Sequence, residues 1–199
     1  MGEWVVAVTG GHGVLGRAVV QAALEAGLKV ALIDFVAGPS VPEGVLEITG
    51  VDLTDPVQAQ DAVDRAAAHF GRLDALLNIA GGFVWQTTDD PAPAWDRMFA
   101  LNLTTALNAS RAALPHLKAA FEGRIVNIGS HAALKAGAGM GPYAASKAAV
   151  HALTQAMAEG AQELRTEDLQ RFPLHSRLLR WASYGLVRLL MGLAGYGPR

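Results

Sequence analysis

Trp4-Val5-Val6-Ala7-Val8-Thr9-Gly10-Gly11-His12-Gly13-Val14-Leu15-Gly16 is the stretch from which the fold can be read. Trp4–Thr9 is apolar and β-branched and stops at glycines, which reads as a buried strand. Val14–Ala26 then repeats its apolar residues at helical spacing, and Gly27 suits the C-terminal stop. Glycines at 10, 13 and 16 let the chain turn tightly and let backbone N–H groups approach a pyrophosphate, while the helix N-terminus adds partial positive charge. An ordinary βα turn carries similar glycines, so the reading leans on the strand–loop–helix context, which is met here. No Lys-Ser/Thr pair follows the glycines, which disfavours a P-loop.

Working outward, the alternation continues. Lys29–Ile33 reads as a second buried strand ending at Asp34, and Val45–Val51 as a third. Asp55 followed by Pro56 marks a helix start, since Asp caps and Pro suits the first helical position. That helix runs to about Phe70 and Gly71. Leu73–Ala80 is a fourth strand, Trp95 to about Ala120 a long helix with a kink expected at Pro115, and Arg124–Ile128 a fifth strand. Pro142 opens a helix through about Glu159. Strands apolar on both faces, alternating with helices, predict an α/β fold: a doubly wound, Rossmann-type parallel sheet of about five strands. Residues 1–160 are expected to form a dinucleotide-binding domain, and 161–199 a divergent helical tail rich in Arg and Leu.

Asp34 stands 18 residues beyond Gly16 at the end of the second strand. A carboxylate there would accept hydrogen bonds from the adenosine ribose and repel a 2′-phosphate, which points to NAD over NADP. The bland alternative is a solvated strand-end residue.

Tyr143-Ala144-Ala145-Ser146-Lys147 places Tyr143 and Lys147 four apart, on one face of a helix. A free tyrosine, with a pKa of about 10, is a poor base near neutrality, and a neighbouring ammonium favours the phenolate. An isolated pattern of this kind is usually a surface Tyr and Lys. Here it is accompanied by Thr9–Gly16, Asp52-Leu53, Asn78-Ile79-Ala80-Gly81, Leu101-Asn102-Leu103 and Ile125-Val126-Asn127-Ile128-Gly129-Ser130, with Ser130 lying 13 residues before Tyr143. Taken together, residues 4–158 resemble the short-chain dehydrogenase/reductase family. One departure is that the family's middle glycine commonly stands at the position of Val14, whereas here it is Gly13.

The resemblance implies an NAD(P)-dependent oxidoreductase that exchanges a hydride between a secondary alcohol or ketone and a nicotinamide cofactor. It implies that Tyr143 donates or accepts the substrate proton, that Lys147 favours the phenolate and holds the nicotinamide ribose, and that Ser130 hydrogen-bonds the substrate oxygen. Asn102 would support a water linking Lys147 to solvent. Gly10, Gly13, Leu15, Gly16, Asp34, Asp52, Leu53, Asn78, Ala80 and Gly81, with Tyr143 and Lys147, would hold the cofactor. Family members often pair through helices that correspond to 96–120 and 142–158, so a homodimer is expected. After about Ala158 the family's further strand, Pro-Gly turn and substrate lid are not recognisable. That leaves open a protein that holds dinucleotide with little or no turnover.

Composition narrows the rest. The 199 residues are 51% hydrophobic and 17% charged, ample for a core, and contain no cysteine, which excludes disulfides and thiolate chemistry. No metal site is expected, because His12 and His131 lack partners at ligand spacing, and His12 is read as structural or solvated. The start lacks a basic and apolar leader pattern, and Val5–Val8 is too short to span a bilayer, so a cytoplasmic location is expected. All 18 Asp/Glu precede residue 169, whereas Arg171, Arg177, Arg180, Arg188 and Arg199 follow it. An acidic main body without a basic stripe argues against nucleic acid. Residues 176–194 read as a basic amphipathic helix. Such a helix packs on a sheet edge or a partner, or lies on an anionic membrane surface.

Overall fold

The computed structural model describes residues 4–38, 40–87, 93–120 and 122–168. Strand β1 (Val5–Thr9) is buried at every residue, and its side chains alternate between two cores. Val5 and Ala7 face one core, which α2 (Pro56–Phe70) and α4 (Thr105–Ala119) cover through Ala59, Ala62, Val63, Ala66, Ala109, Ala112 and Ala113. Val6 and Val8 face the other, where α1 (Val14–Glu25) contributes Val19, Val20 and Ala23. A strand dry on both faces needs helices on both sides, and that is the arrangement here.

The remaining strands are β2 (Lys29–Ile33), β3 (Val45–Ile48), β4 (Ala75–Asn78) and β5 (Arg124–Asn127). All pairings are parallel, in the order β3-β2-β1-β4-β5. The expected five-stranded, doubly wound parallel sheet is therefore observed. Helix α2 starts as its sequence directs: Asp55 accepts from Val57 N at 2.8 Å, Pro56 takes the first position, and Gly71 ends the helix at φ +74°. At the opposite end of the sheet from the glycine loop, buried Asp74 accepts from Val5 N at 2.9 Å and from Arg72 Nε and Nη2 at 2.9 and 2.6 Å.

Two elements differ from expectation. The long helix over 95–120 is three pieces: α3 (Pro93–Phe99), a π-helical turn (Ala100–Thr104) and α4. The change in hydrogen bonding therefore lies at 100–104, and α4 continues through Pro115 to Ala119. Pro115 and Arg111, whose carbonyl loses its partner to the proline, are both exposed, so the helix bears the lost bond at its solvent face. Helix α5 (Gly141–Asp168) runs on past Glu159 and through Gly160. The amphipathic stretch 176–194 lies outside the described residues. Among the described residues no helix is long and apolar enough to cross a membrane.

Candidate active site

Strand order reverses direction between β1 and β4, and in a parallel sheet the carboxyl ends of strands at such a point border a crevice. The glycine loop and the end of β4 meet there. Thr9 Oγ1 accepts from Ile79 N and Ala80 N at 3.1 and 3.2 Å. Gly10 has φ +67°, and a Cβ on it would stand 2.7 Å from Ala80 N, so only glycine lets the two segments approach this closely. A Cβ on Gly16 would lie 2.1 Å from Gly10 O, which makes Gly16 the close contact between α1 and its own loop. Gly13 precedes α1, and the first helical bond runs from Arg17 N to Gly13 O at 2.9 Å. The N–H groups of Val14, Leu15 and Gly16 thus lie at the open end of the helix, beside an exposed Gly13 and an exposed Leu15. This set of donors fits the pyrophosphate of a dinucleotide.

Asp34 is buried behind the loop. Its Oδ2 accepts from His12 N at 2.9 Å and its Oδ1 from Val36 N at 3.2 Å, so the carboxylate braces the glycine loop against the end of β2. Two accepted bonds leave lone-pair sites for further donors. His12 has the structural role expected of it. Its buried imidazole pairs with Glu47 Oε1 at 2.7 Å, its carbonyl accepts from Arg17 Nη1 at 2.7 Å, and Gly38 packs on the ring with no room for a Cβ. Asp52 Oδ1 accepts from Thr54 N and Thr54 Oγ1 at 2.9 and 2.7 Å, closing a local turn. Leu53 is buried, and its carbonyl accepts from Asn108 Nδ2 at 3.0 Å.

The other end of the crevice lies where β4, the π-helical turn, β5 and α5 converge. Asn78 Nδ2 donates to Asn127 Oδ1 at 2.8 Å and to Ser110 Oγ at 3.0 Å, tying β4 to β5 and to α4. The π turn carries Asn102, which is 1% exposed. Its Oδ1 accepts from Gly82 N at 2.9 Å, and its Nδ2 donates to Gly82 O at 3.1 Å and to Ser146 Oγ at 2.9 Å. Ser146 in turn donates to Tyr143 O at 2.8 Å. Thr105 Oγ1 donates to Leu101 O at 2.7 Å, serving a carbonyl at the irregular turn. A π turn re-aims one residue of a helix, and such turns concentrate at functional sites.

Lys147 is 6% exposed, and its ammonium donates to Ile128 O at 2.8 Å. Burial holds its pKa below the ordinary lysine range, because desolvation disfavours the charged form. A Cβ on Gly81 would lie 2.6 Å from Asn102 Oδ1 and 3.6 Å from Lys147 Nζ, so these three residues share one corner. Tyr143, half-buried one turn before Lys147, packs its ring edge-on against Phe83 at 5.0 Å. Ser130, at the end of the β5 segment, accepts from Ala132 N at 3.1 Å and starts a short 3₁₀ turn, His131–Ala133. The structure thus brings Gly81, Asn102, Tyr143 and Lys147 together around α5. Among the described residues no hydrogen bond links Ser130 with Tyr143.

Sequence reasoning missed Ser146, which joins Asn102 to the turn that carries Tyr143. Its signal was present: a small polar residue beside Lys147 on an otherwise apolar stretch. It also missed Phe83, because a single aromatic residue after a glycine pair has no periodic context.

With this geometry established, comparison with known proteins decides the family. The model of the short chain dehydrogenase family matches residues 4–167. The chain belongs to the short-chain dehydrogenase family. The match reaches beyond Ala158, where recognisable motifs end, and takes in all of α5 but its last residue. Among curated relatives, 2-(S)-hydroxypropyl-CoM dehydrogenase 3 of Xanthobacter autotrophicus is 38% identical over 77% of this chain and 64% of its own length. D-beta-hydroxybutyrate dehydrogenase of Rhizobium meliloti is 32% identical over 76% of this chain and 63% of its own. Among solved structures, a short-chain dehydrogenase/reductase from Serratia marcescens superposes with a TM-score of 0.69 at 36% identity, covering 79% of this chain and 72% of that one. The aldohexose dehydrogenase of Thermoplasma acidophilum gives 0.73 at 28% identity, covering 79% and 61%. The chain spans under two thirds of the length of these two curated relatives.

Proposed function

We propose that this short-chain dehydrogenase is an oxidoreductase that interconverts a secondary alcohol and a ketone with NAD, using Tyr143 as the proton carrier. The observation that carries the reading is the buried Lys147 ammonium, anchored to Ile128 O one helical turn from Tyr143. A buried lysine with one hydrogen bond among the described residues keeps further N–H donors for a ribose hydroxyl and for the phenol side of the site.

The glycine loop, Asp34, Asp52-Leu53, the Asn78–Gly81 segment and Lys147 would hold the dinucleotide, and the nicotinamide supplies or takes the hydride when bound. Tyr143 Oη holds the proton that the carbonyl oxygen gains on reduction and takes it back on oxidation. The Lys147 ammonium favours the phenolate that remains. Ser130 Oγ, already accepting from Ala132 N, keeps its O–H to donate to the substrate oxygen. Asn102 fixes Gly82 and Ser146, which holds the end of β4 against the turn of α5 that carries Tyr143. Asp34 keeps lone pairs for the two ribose hydroxyls, and its charge disfavours a 2′-phosphate.

The test is a ketone panel with NADH. Tyr143→Phe is expected to lower kcat by about 100-fold or more while NADH still binds. Retained turnover in that variant overturns the assignment. The rival outcome of this test is a dinucleotide-binding protein with little turnover. NADH binding without any Tyr143-dependent turnover selects it.

A further inference from the structure

The large hydrophobic side chains exposed at the Tyr143 end of the crevice are mostly aromatic. Phe83, Trp85 and Trp95 are 49%, 61% and 42% exposed, and they come from two segments: the stretch after β4 and the start of α3. Phe83 meets the Tyr143 ring edge-to-face at 5.0 Å and 84°, and Trp85 lies next to Phe83 at 6.3 Å and 65°. Trp95 lies against Gly141, two residues before Tyr143, with Cζ2 3.6 Å from where a Cβ would stand.

The rings are held rather than loosely displayed. Gln86 N donates to Gly139 O at 2.9 Å, and Gln86 pairs with Met140 in an isolated parallel bridge. Gly139 has φ +75°, and the Trp85 indole occupies the place of its missing side chain, with Cε2 2.3 Å from the Cβ position. The Trp85 ring is thus seated on the loop that leads into α5. Among the described residues nothing covers this fixed aromatic surface, and exposed apolar surface of this kind marks a binding site, here one that rewards flat apolar groups. Here it borders the ring of the residue that would carry the substrate proton.

We infer that Phe83, Trp85 and Trp95 form a substrate wall that selects ketones and secondary alcohols bearing an aryl group on the carbinol carbon. The inference rests on the proposed oxidoreductase reading, with Tyr143 at the reacting oxygen. The oxygen would lie at the Tyr143 hydroxyl and the aryl ring along Phe83 and Trp85, where offset or edge contacts reward a planar substituent. A small carboxylated ketone gains nothing from the same surface.

The experiment compares acetophenone with acetoacetate as oxidants of NADH, using the full chain. The wild type is expected to show the higher kcat/KM for acetophenone. Trp85→Ala and Phe83→Ala should each lower the acetophenone-to-acetoacetate ratio about tenfold, and Trp85→Phe should restore most of it. A preference for acetoacetate, or a ratio that neither alanine variant changes, overturns the wall. If no ketone is reduced, the oxidoreductase reading fails separately, and ligand-observed NMR with acetophenone still tests the wall. Binding lost in Trp85→Ala supports it. Equal binding by wild type and variant, or no binding at all, overturns it. Because Trp85 is 61% exposed, its removal leaves the core intact, which an unchanged melting transition verifies.

Discussion

Lys147 shows how one residue joins stability to chemistry. Burial lowers the pKa of its ammonium in the folded protein, whereas the unfolded chain exposes an ordinary lysine. Between the two values the unfolded state binds more protons, so this group makes stability rise with pH up to the ordinary lysine range. Near neutrality its buried charge is a cost to stability. Lys147→Met should lower turnover by about 100-fold or more. Its melting temperature relative to wild type should be most favourable near pH 7, and that advantage should shrink as the pH rises towards the lysine range. A difference that is flat with pH would contradict the desolvation account. Beside the ribose-binding role proposed for it, Asp34 has a structural one that its position in the sequence did not reveal. Its carboxylate braces His12 N and Val36 N, so Asp34→Ser should both relax NAD/NADP selectivity and cost about 1–3 kcal/mol by leaving the buried His12 N–H unpaired. Cofactor affinities and a urea titration on the same variant would show both effects. A selectivity change without loss of stability would refute the brace. Asp34, Tyr143 and Lys147 were all legible as residues, because spacing marks them. The partners Ile128 O and His12 N were not, because no local pattern encodes a contact across 19 or 22 residues.

At the scale of elements, the glycine loop and α1 followed directly from the opening stretch. Gly16 is the tightest point of that unit, where an added Cβ meets Gly10 O and Gly11 Cα at 2.1 and 2.7 Å. Both are backbone atoms that cannot swing aside, so Gly16→Ala should shift α1 away from the loop. The expected cost is about 1–3 kcal/mol of stability, together with weaker NADH binding. An alanine variant with unchanged NADH affinity would show that the packing of α1 on its loop does not shape the cofactor site. The π turn is the opposite case. Leu101-Asn102-Leu103 looks like ordinary helix, and the one visible irregularity, Pro115, lies further along, inside α4. The turn exists because Asn102 gains bonds to Gly82 and Ser146 that a regular helix would not offer at that point. Propensity is a weak prior wherever tertiary partners supply more than one hydrogen bond. Gly160 is a smaller instance: a helix-stop signal that α5 runs through.

At the scale of the whole molecule, the candidate site and the Asp74 tie lie at opposite ends of the sheet. The glycine loop, Asp34, Asn78, Tyr143 and Lys147 gather at the carboxyl ends of the strands, whereas Asp74 ties β1 to β4 at the other edge. Asp74→Ala leaves the buried Val5 N–H and the Arg72 guanidinium without that carboxylate, and should cost about 1–3 kcal/mol with little change in NADH affinity. A urea titration alongside NADH binding checks both halves, and a large loss of affinity would show that the two edges are coupled. The layering was determined by sequence alone, because strands apolar on both faces and alternating with helices have few ways to bury their surface. The glycine loop and the Tyr143–Lys147 pair were determined the same way, since a tight turn and a helical repeat are local geometries with local spelling. Only the tertiary structure decided that Asn102 leaves the regular helix, that Ser146 joins it to the Tyr143 turn, that Ile128 O anchors the buried ammonium and that Phe83 stands beside the Tyr143 ring with Trp85 against Phe83. Those arrangements come from segments distant in the chain meeting at the ends of β4 and β5, where packing and hydrogen-bond satisfaction, not periodicity, choose the partner.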